Sequence, residues 1–219
     1  MSSSSKEFTG EFYDADYFER GRESGKGWLS NYKWMPIRSI KEALAYIDTL
    51  QLNEHSYILD IGCAKGFIVK ALRLLEIKAD GCDISEYALS FAPSGCWNCS
   101  KDLSWAANTN KYTHVIIKDV LEHLTLEQLE KMLNNISKIC SNIMCVIPMG
   151  DNGKYRIKEY HIEISHLIAE DEIWWENTFK SYGWNTDKKI QHVSGLKDNW
   201  QTYADGKGNC VFILSKMNT

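Results

Sequence analysis

Continuous apolar runs alternate along this chain with segments whose apolar residues recur every three or four positions. Short continuous runs between turn residues are typical of strands buried on both faces of a sheet, and the second pattern is typical of amphipathic helices. The alternation predicts an α/β fold with helices on both faces of the sheet. Strands are predicted at 58–61, 79–83, within 95–102, and at 113–118, 143–147, 189–193 and 209–216.

Helices are expected between these strands. Pro36 can occupy a first helical turn, where its missing N–H costs nothing, and Thr125 is a good N-cap residue. The last two predicted strands have a glycine-containing turn region at 205–208 between them and no helix, which predicts a hairpin. The predicted helices are 36–50, one after Gly66, 86–91, 125–140 and 169–182.

The first predicted strand ends abruptly at Gly62, and Gly66 follows just before a helical pattern begins at Phe67. Glycine is needed where the backbone takes positive φ or passes close to a ligand, and the amides of a helix N-terminus suit polar or negative groups. Asp83 lies 21 residues after Gly62, at the predicted tip of the second strand, where an acid binds ribose hydroxyls. This arrangement of two glycines and an acid predicts an adenosine-containing cofactor.

The glycine pattern indicates which cofactor. A dinucleotide-binding turn would have glycine at the positions of Ala64 and Phe67. The stretch instead resembles motif I of the class I S-adenosylmethionine-dependent methyltransferases, Asp-x-Gly-x-Gly-x-Gly, which Asp60, Gly62 and Gly66 match and from which Ala64 departs. The Asp-Val-Leu-Glu-His run at 119–123 resembles the segment after the fourth strand in the group with ubiquinone- and glycan-modifying members.

This resemblance implies a Rossmann-like, doubly wound, seven-stranded and mostly parallel sheet with a C-terminal antiparallel hairpin. We expect this methyltransferase domain at 36–219, after an N-terminal tail and aromatic cover segment at 1–35. The implied cofactor is S-adenosylmethionine, with Asp102 pairing with the adenine amino group. The implied cofactor-binding residues are Asp60, Gly62, Cys63, Ala64, Gly66, Asp83, Ile84, Asp102, Leu103 and Asp119.

Methyl transfer from a sulfonium is an in-line displacement, which needs alignment of the acceptor more than a protein nucleophile. An oxygen acceptor also needs a base. The run from Glu163 to His166, ahead of a tryptophan-bearing helix, resembles a pattern of glycan-cluster methyltransferases, so His166 is the predicted base and His123 a second catalytic candidate. A purely structural role stays open for both histidines. The expected acceptor is an oxygen of a small molecule or sugar; the alternatives are small-molecule N-methylation and a non-catalytic S-adenosylmethionine-binding partner protein.

Metal and disulfide chemistry are not expected. Asp119, Glu122 and His123 could form part of a divalent-metal site, as in some ubiquinone-pathway relatives, but we predict no metal. The Cys96–Cys99 pair has the spacing of half a zinc site without a second such pair. The seven cysteines are an odd number and several lie in apolar strands, so we expect reduced thiols.

Charge and hydropathy limit the partners. The net charge of −4 argues against a broad basic surface for nucleic acid. No apolar run approaches the roughly 18 residues of a membrane span, and the serine-rich N-terminus lacks the apolar core of a signal peptide. We expect a soluble, cytoplasmic enzyme without nucleic-acid or membrane partners, with its oligomeric state open.

Overall fold

The computed structural model describes residues 7–100, 103, 106 and 111–217. Its helices are α1 (Ala15–Ser24), α2 (Pro36–Leu50), α3 (Phe67–Leu74), α4 (Glu86–Leu89), α5 (Leu126–Ile136) and α6 (Glu172–Ser181). Its strands are β1 (Tyr57–Ile61), β2 (Lys78–Asp83), β3 (Cys96–Asn98), β4 (His114–Lys118), β5 (Asn142–Pro148), β6 (Gly150–Asp151), β7 (Lys154–Tyr155), β8 (Trp184–Ile190) and β9 (Asn209–Lys216).

Seven of the strands form one sheet in the order β3-β2-β1-β4-β5-β9-β8. The pairs from β3 to β5 are parallel, and β9 runs antiparallel to both β5 and β8. The order reverses between β1 and β4, and ligands of such sheets bind at that point, outside the carboxyl ends of the strands. This confirms the predicted Rossmann-like sheet with its antiparallel C-terminal hairpin.

Both faces of the sheet are covered by apolar helix surfaces. On one face, α5 and α6 bury Leu129, Leu133 and Trp175 against the strands. On the other, α2 and α3 bury Tyr46 and Leu72. Each fully buried side chain of this size contributes roughly 1.5–3 kcal/mol, so the two layers hold the strand ends in fixed positions.

Several predicted boundaries shift for identifiable reasons. The helix predicted from 169 begins at Glu172, because the side chain of Asp171 caps it by accepting a hydrogen bond from the amide of Trp174. The helix predicted to reach 140 ends at Ile136. The strand predicted at 189–193 begins five residues earlier and ends at Ile190, as β8, which lies at the edge of the sheet and exposes most of its polar residues. An edge strand needs few apolar residues, so its sequence pattern is weak.

The aromatic N-terminal segment contains a helix that the sequence pattern did not predict. Asp14 caps α1 by accepting a hydrogen bond from the amide of Tyr17. The segment passes so close to the tip of β2 that a Cβ on Gly10 would lie 2.1 Å from the carbonyl oxygen of Ile84. The hydroxyl of Ser85 donates to the carbonyl of Tyr13. Residues 8–32 therefore lie over the carboxyl ends of the strands, and we call them the cover segment.

All seven cysteines lie within the described residues, and each is a free thiol. Over the same part of the chain, no helix is both long enough and apolar enough to cross a bilayer.

Candidate active site

The glycine turn between β1 and α3 has three residues with positive φ, namely Gly62 at 79°, Ala64 at 48° and Gly66 at 68°. A Cβ on Gly62 would lie 2.2 Å from Cγ2 of Val120, and one on Gly66 would lie 2.6 Å from Cδ of Pro93. Both glycines are therefore required by backbone conformation and by space. The same left-handed conformation at Ala64 explains why motif I usually has a glycine there.

Asp83 lies at the end of β2 and fastens this turn to the strand. Its Oδ2 accepts a hydrogen bond from the amide of Ala64 at 2.8 Å, and its Oδ1 accepts one from the amide of Ser85 at 2.8 Å. Burial raises the pKa of the carboxyl, while these amides oppose the shift. An ionised carboxylate has about four acceptor positions, so Asp83 keeps capacity for two ribose hydroxyls.

A group of buried charges lies below the turn. Burial, and then the charge of Glu42, raise the pKa of Asp60 to about 8 against the opposing charge of Lys118. Lys118 Nζ lies 3.4 Å from Glu42 and 3.2 Å from Asp119. Asp119 also pairs with Lys197. Burial would raise the pKa of Asp119, but the two lysines outweigh it and hold that pKa well below its usual range.

The remaining predicted cofactor residues are distributed around the same edge of the sheet. Cys63 is buried in the turn, where a Cβ added to Gly81 would lie 2.7 Å from its Sγ. The carbonyl of Ile84 accepts a hydrogen bond from Nδ2 of Asn98. Leu103 is buried in the core. Asp102 lies outside the described residues, so its contact with adenine remains a prediction.

The structure brings His123 and His166 together, with ring centroids 4.6 Å apart. The loop that carries His166 is held to the end of β4 because the amides of Leu167 and Ile168 both donate to the backbone carbonyl of Glu122. Burial lowers the pKa of His123 to about 4 and that of His166 well below its usual value. Both imidazoles are therefore neutral near pH 7.

Hydrogen bonds orient each ring. Nδ1 of His166 lies 2.9 Å from the carbonyl oxygen of Tyr160, so it carries the proton and leaves Nε2 free. Nδ1 of His123 lies 2.9 Å from the hydroxyl of Ser165, which in turn donates to Glu163. These partners come from the loop after β7.

Glu122 is the third member of this group. Its side chain is fully buried, and its Oε1 lies 3.9 Å from Nε2 of His166. Neither carboxylate oxygen has a hydrogen-bond partner among the described residues. Burial, and then the charge of Asp119, raise its pKa to about 8. We refer to Glu122, His123 and His166 as the Glu-His-His cluster.

His161, another histidine of this region, does not join the cluster. It is exposed, and its Nε2 accepts a hydrogen bond from the amide of Tyr155 at 3.2 Å. The structure therefore separates it from the other two histidines, which the sequence alone could not do.

The cover segment lies over both the glycine turn and the cluster. The hydroxyl of Tyr13 is 3.5 Å from Nδ1 of His123, and the amide of Trp28 donates to Glu163. Lys65, buried in the turn, pairs with Glu19 of the segment. Sequence reasoning missed Tyr13, Lys65 and Lys197 as site residues because their contacts link distant or irregular stretches that carry no local pattern.

A surface cavity of about 300 Å³ lies at the opposite edge of the sheet, lined by residues that include Tyr57 and Asp80. The Tyr57 and Tyr112 hydroxyls and the Lys111 ammonium all bind Asp80 Oδ2 there. This network joins strands at their amino ends, whereas ligands of such sheets bind at the carboxyl ends. We therefore assign the site to the glycine turn and the Glu-His-His cluster.

No protein-family model and no curated protein matches this sequence. Solved structures do match. A chain from a Haloferax volcanii complex that contains the Trm112 methyltransferase activator is 14% identical with a TM-score of 0.66, over 97% of this chain and 99% of that chain. The magnesium protoporphyrin IX methyltransferase of Synechocystis, solved with bound S-adenosylmethionine, is 14% identical with a TM-score of 0.57, over 99% and 100% of the two chains.

A third match extends the range of acceptors among the neighbours. The 1,6-didemethyltoxoflavin-N1-methyltransferase of Burkholderia thailandensis, solved with its acceptor and S-adenosylhomocysteine, is 10% identical with a TM-score of 0.58, over 83% of this chain and 79% of that chain. At these identities the matches establish architecture. The chain has the fold of the class I S-adenosylmethionine-dependent methyltransferases.

Proposed function

We propose that this protein is an S-adenosylmethionine-dependent methyltransferase that methylates an oxygen of a small molecule or sugar. The observation that carries the proposal is the hydrogen bond from the Ala64 amide to Asp83, which joins the glycine turn to an acid at the tip of the neighbouring strand. This is the arrangement that holds the ribose of an adenosine cofactor in Rossmann-like sheets. The methyltransferase fold supports the same cofactor.

The cofactor would lie along the carboxyl edge of the sheet. Asp83 would accept hydrogen bonds from its ribose hydroxyls, and Leu103 with Asp102 would contact its adenine. The turn from Gly62 to Gly66 would lie beneath it, with Asp60 and Asp119 on the side towards β4. The neighbours from Synechocystis and Burkholderia, solved with S-adenosylmethionine and S-adenosylhomocysteine, support the choice of cofactor.

An oxygen acceptor is favoured by the Glu-His-His cluster next to this edge. A hydroxyl is a poor nucleophile, and a positioned base accelerates its reaction by about 10²–10⁴-fold. The neutral imidazoles of His166 and His123 offer lone pairs for this purpose at neutral pH. In the displacement, the acceptor oxygen bonds to the methyl carbon, the sulfur keeps the electron pair of the broken bond, and the acceptor proton leaves through the cluster.

Calorimetry with the purified protein tests the cofactor. We expect S-adenosylmethionine to bind and NAD to give no comparable response; binding of NAD alone would overturn the proposal. Methyl-labelled S-adenosylmethionine, incubated with panels of hydroxylated small molecules, nucleotide sugars and small amines, then tests the acceptor by mass spectrometry of the products. Label on an amine nitrogen would replace the oxygen assignment, and cofactor binding without transfer would favour a non-catalytic partner.

A further inference from the structure

The residues that the structure describes around Glu122 leave its side chain without the hydrogen bonds that a buried carboxylate needs. Its carboxylate is fully buried, and neither oxygen has a hydrogen-bond partner among the described residues. Leaving a buried polar group unsatisfied costs about 1–3 kcal/mol, and more for a charged group. Natural proteins rarely keep such a group without a reason, and a catalytic role or a bound water molecule or ion is among the usual ones.

Two imidazole lone pairs lie beside this carboxylate. His166 donates its Nδ1 proton to the carbonyl of Tyr160 and leaves Nε2 free, 3.9 Å from Oε1 of Glu122. His123 is oriented through Ser165, whose hydroxyl also donates to Glu163. A hydrogen bond from one ring nitrogen to a carbonyl or to a carboxylate network is the usual support of a histidine that binds metal through its other nitrogen.

We propose that Glu122, His123 and His166 form a binding site for a divalent transition-metal ion. One carboxylate oxygen of Glu122 and one ring nitrogen from each histidine lie within 4.8 Å of one another. An ion placed equally far from three atoms within 4.8 Å of one another lies at most about 2.8 Å from each. The usual distances are about 2.0–2.2 Å, so the ligand atoms need to move inward by no more than about 0.8 Å.

The ligand types indicate the class of ion. Two imidazoles with one carboxylate suit zinc, iron, cobalt or manganese, whereas magnesium and calcium prefer sets made of oxygen. Three protein ligands also leave coordination positions open for a water molecule or a substrate oxygen.

Asp119 is not part of this ligand set, although the resemblance to ubiquinone-pathway relatives made it a candidate. Its carboxylate already forms ion pairs with Lys118 and Lys197. Those two ammonium groups occupy and neutralise the carboxylate of Asp119, which leaves it unavailable to a metal ion. The third ligand is instead His166, from the loop after β7.

The role of the ion rests on the proposed function. With the ion bound, the lone pairs of His123 and His166 bind the metal and no longer accept the acceptor proton. A hydroxyl bound to the ion instead releases its proton to water more readily, and its oxygen can then attack the methyl group. The cluster would in this way activate an oxygen acceptor and hold it in line with the cofactor. The binding site itself can be tested without knowing the acceptor.

The test uses the full chain, stripped of metal with a chelator and titrated with Co²⁺ while the visible absorption of the bound ion is followed. We expect saturation at about one equivalent per chain and displacement of the Co²⁺ by Zn²⁺. Glu122→Gln and His166→Gln should each weaken Co²⁺ binding at least about tenfold, since each removes a ligand and keeps the approximate side-chain size. His55→Gln, at an exposed position outside the cluster, is the matched control.

Ser165→Ala removes the hydroxyl that orients the ring of His123, so it should weaken Co²⁺ binding less than the substitution of a ligand does. Circular dichroism and S-adenosylmethionine calorimetry on the same samples verify folding. Absence of saturable Co²⁺ binding by the native chain, or equal binding by folded Glu122→Gln, His166→Gln and His55→Gln variants, would overturn the metal site. Metal binding without cofactor binding would instead contradict the proposed function and leave the metal site standing.

Discussion

The backbone amide of Ala64 donates a hydrogen bond to Oδ2 of Asp83 across 2.8 Å, and this contact joins the glycine turn to the side chain at the tip of β2. The amides of Gly62 and Cys63 add to the link by donating to the carbonyl of Cys82. The position of the turn therefore depends on the same carboxylate that we propose binds the ribose. A substitution of Asp83 affects both the turn and the binding of the ribose.

Asp83→Ala should weaken the binding of S-adenosylmethionine by at least about tenfold, since hydrogen bonds to a charged group contribute about 1.5–3 kcal/mol each. Calorimetry gives the affinity, and circular dichroism verifies that the variant is folded. Asp48→Ala, which removes an exposed acid of α2, should leave the affinity unchanged. Equal affinity of the folded Asp83→Ala variant and the native chain would show that another acid binds the ribose.

Ala64→Gly should leave the free energy of unfolding unchanged or raise it by up to about 1 kcal/mol. An L-residue in the left-handed region costs roughly 1–2 kcal/mol, and the greater freedom of glycine in the unfolded chain offsets part of the relief. Urea unfolding measures the change. Ala64→Val should lower the free energy of unfolding, because a β-branched residue tolerates positive φ poorly. A loss above about 1 kcal/mol in Ala64→Gly would mean that the methyl group of Ala64 packs well enough to outweigh its strain.

The cofactor half of the site could be predicted because its signals are local. The strand, the two glycines and the acid at the next strand tip follow one another along the chain, and the parallel sheet brings them together. Only the backbone strain at Ala64 could not be read from the sequence. Its φ of 48° shows that alanine occupies a left-handed position here, which is unfavourable for a residue with a Cβ.

The other half could be predicted only in part. The sequence suggested His123 and His166 separately, but nothing in it indicated that Glu122 would lie unsatisfied between them. Lys197 could not be assigned to Asp119, because it comes from an irregular stretch and reaches the site only after β8 and β9 have paired. Contacts of this kind depend on tertiary packing, which a local pattern does not encode.

Acid should destabilise the protein partly through Glu172 at the start of α6. Burial alone would raise the pKa of its carboxyl, but hydrogen bonds from Arg156 and Gln191 outweigh it and lower that pKa from 4.5 to about 2. Arg156 holds both carboxylate oxygens, at 2.8 and 3.0 Å, and also pairs with Asp151.

Because the folded-state pKa of Glu172 is depressed, its stabilising contribution is complete above about pH 4.5 and is lost as the pH falls towards about 2. After allowance for solvent screening we expect about 1–2 kcal/mol. The difference in unfolding free energy between the native chain and Glu172→Gln should therefore be largest near neutral pH and shrink in this window. A difference that stays constant from pH 6 to about 2 would show that the ion pair contributes nothing.

Lys65 should act as the main attachment of the cover segment to the glycine turn. Its ammonium group is buried, pairs with Glu19, and donates a hydrogen bond to the carbonyl of Tyr32 at 2.9 Å. A buried cation with two such partners is stabilising only while both are in place, and each partner lies in the segment rather than in the sheet. Lys65 therefore adds an attachment between the segment and the glycine turn to the contacts that Tyr13 and Trp28 make elsewhere.

Lys65→Met keeps the length of the side chain and removes its charge, so the segment should open more often while the sheet stays folded. Limited trypsin digestion measures this opening at Arg20, Arg22 and Lys26. We expect cleavage there to accelerate about tenfold, which corresponds to about 1.4 kcal/mol of lost local stability. Lys78→Met, at an exposed position that begins β2, is the matched control and should leave the rate unchanged. Equal cleavage rates in the two variants would show that the aromatic contacts of the segment hold it in place without Lys65.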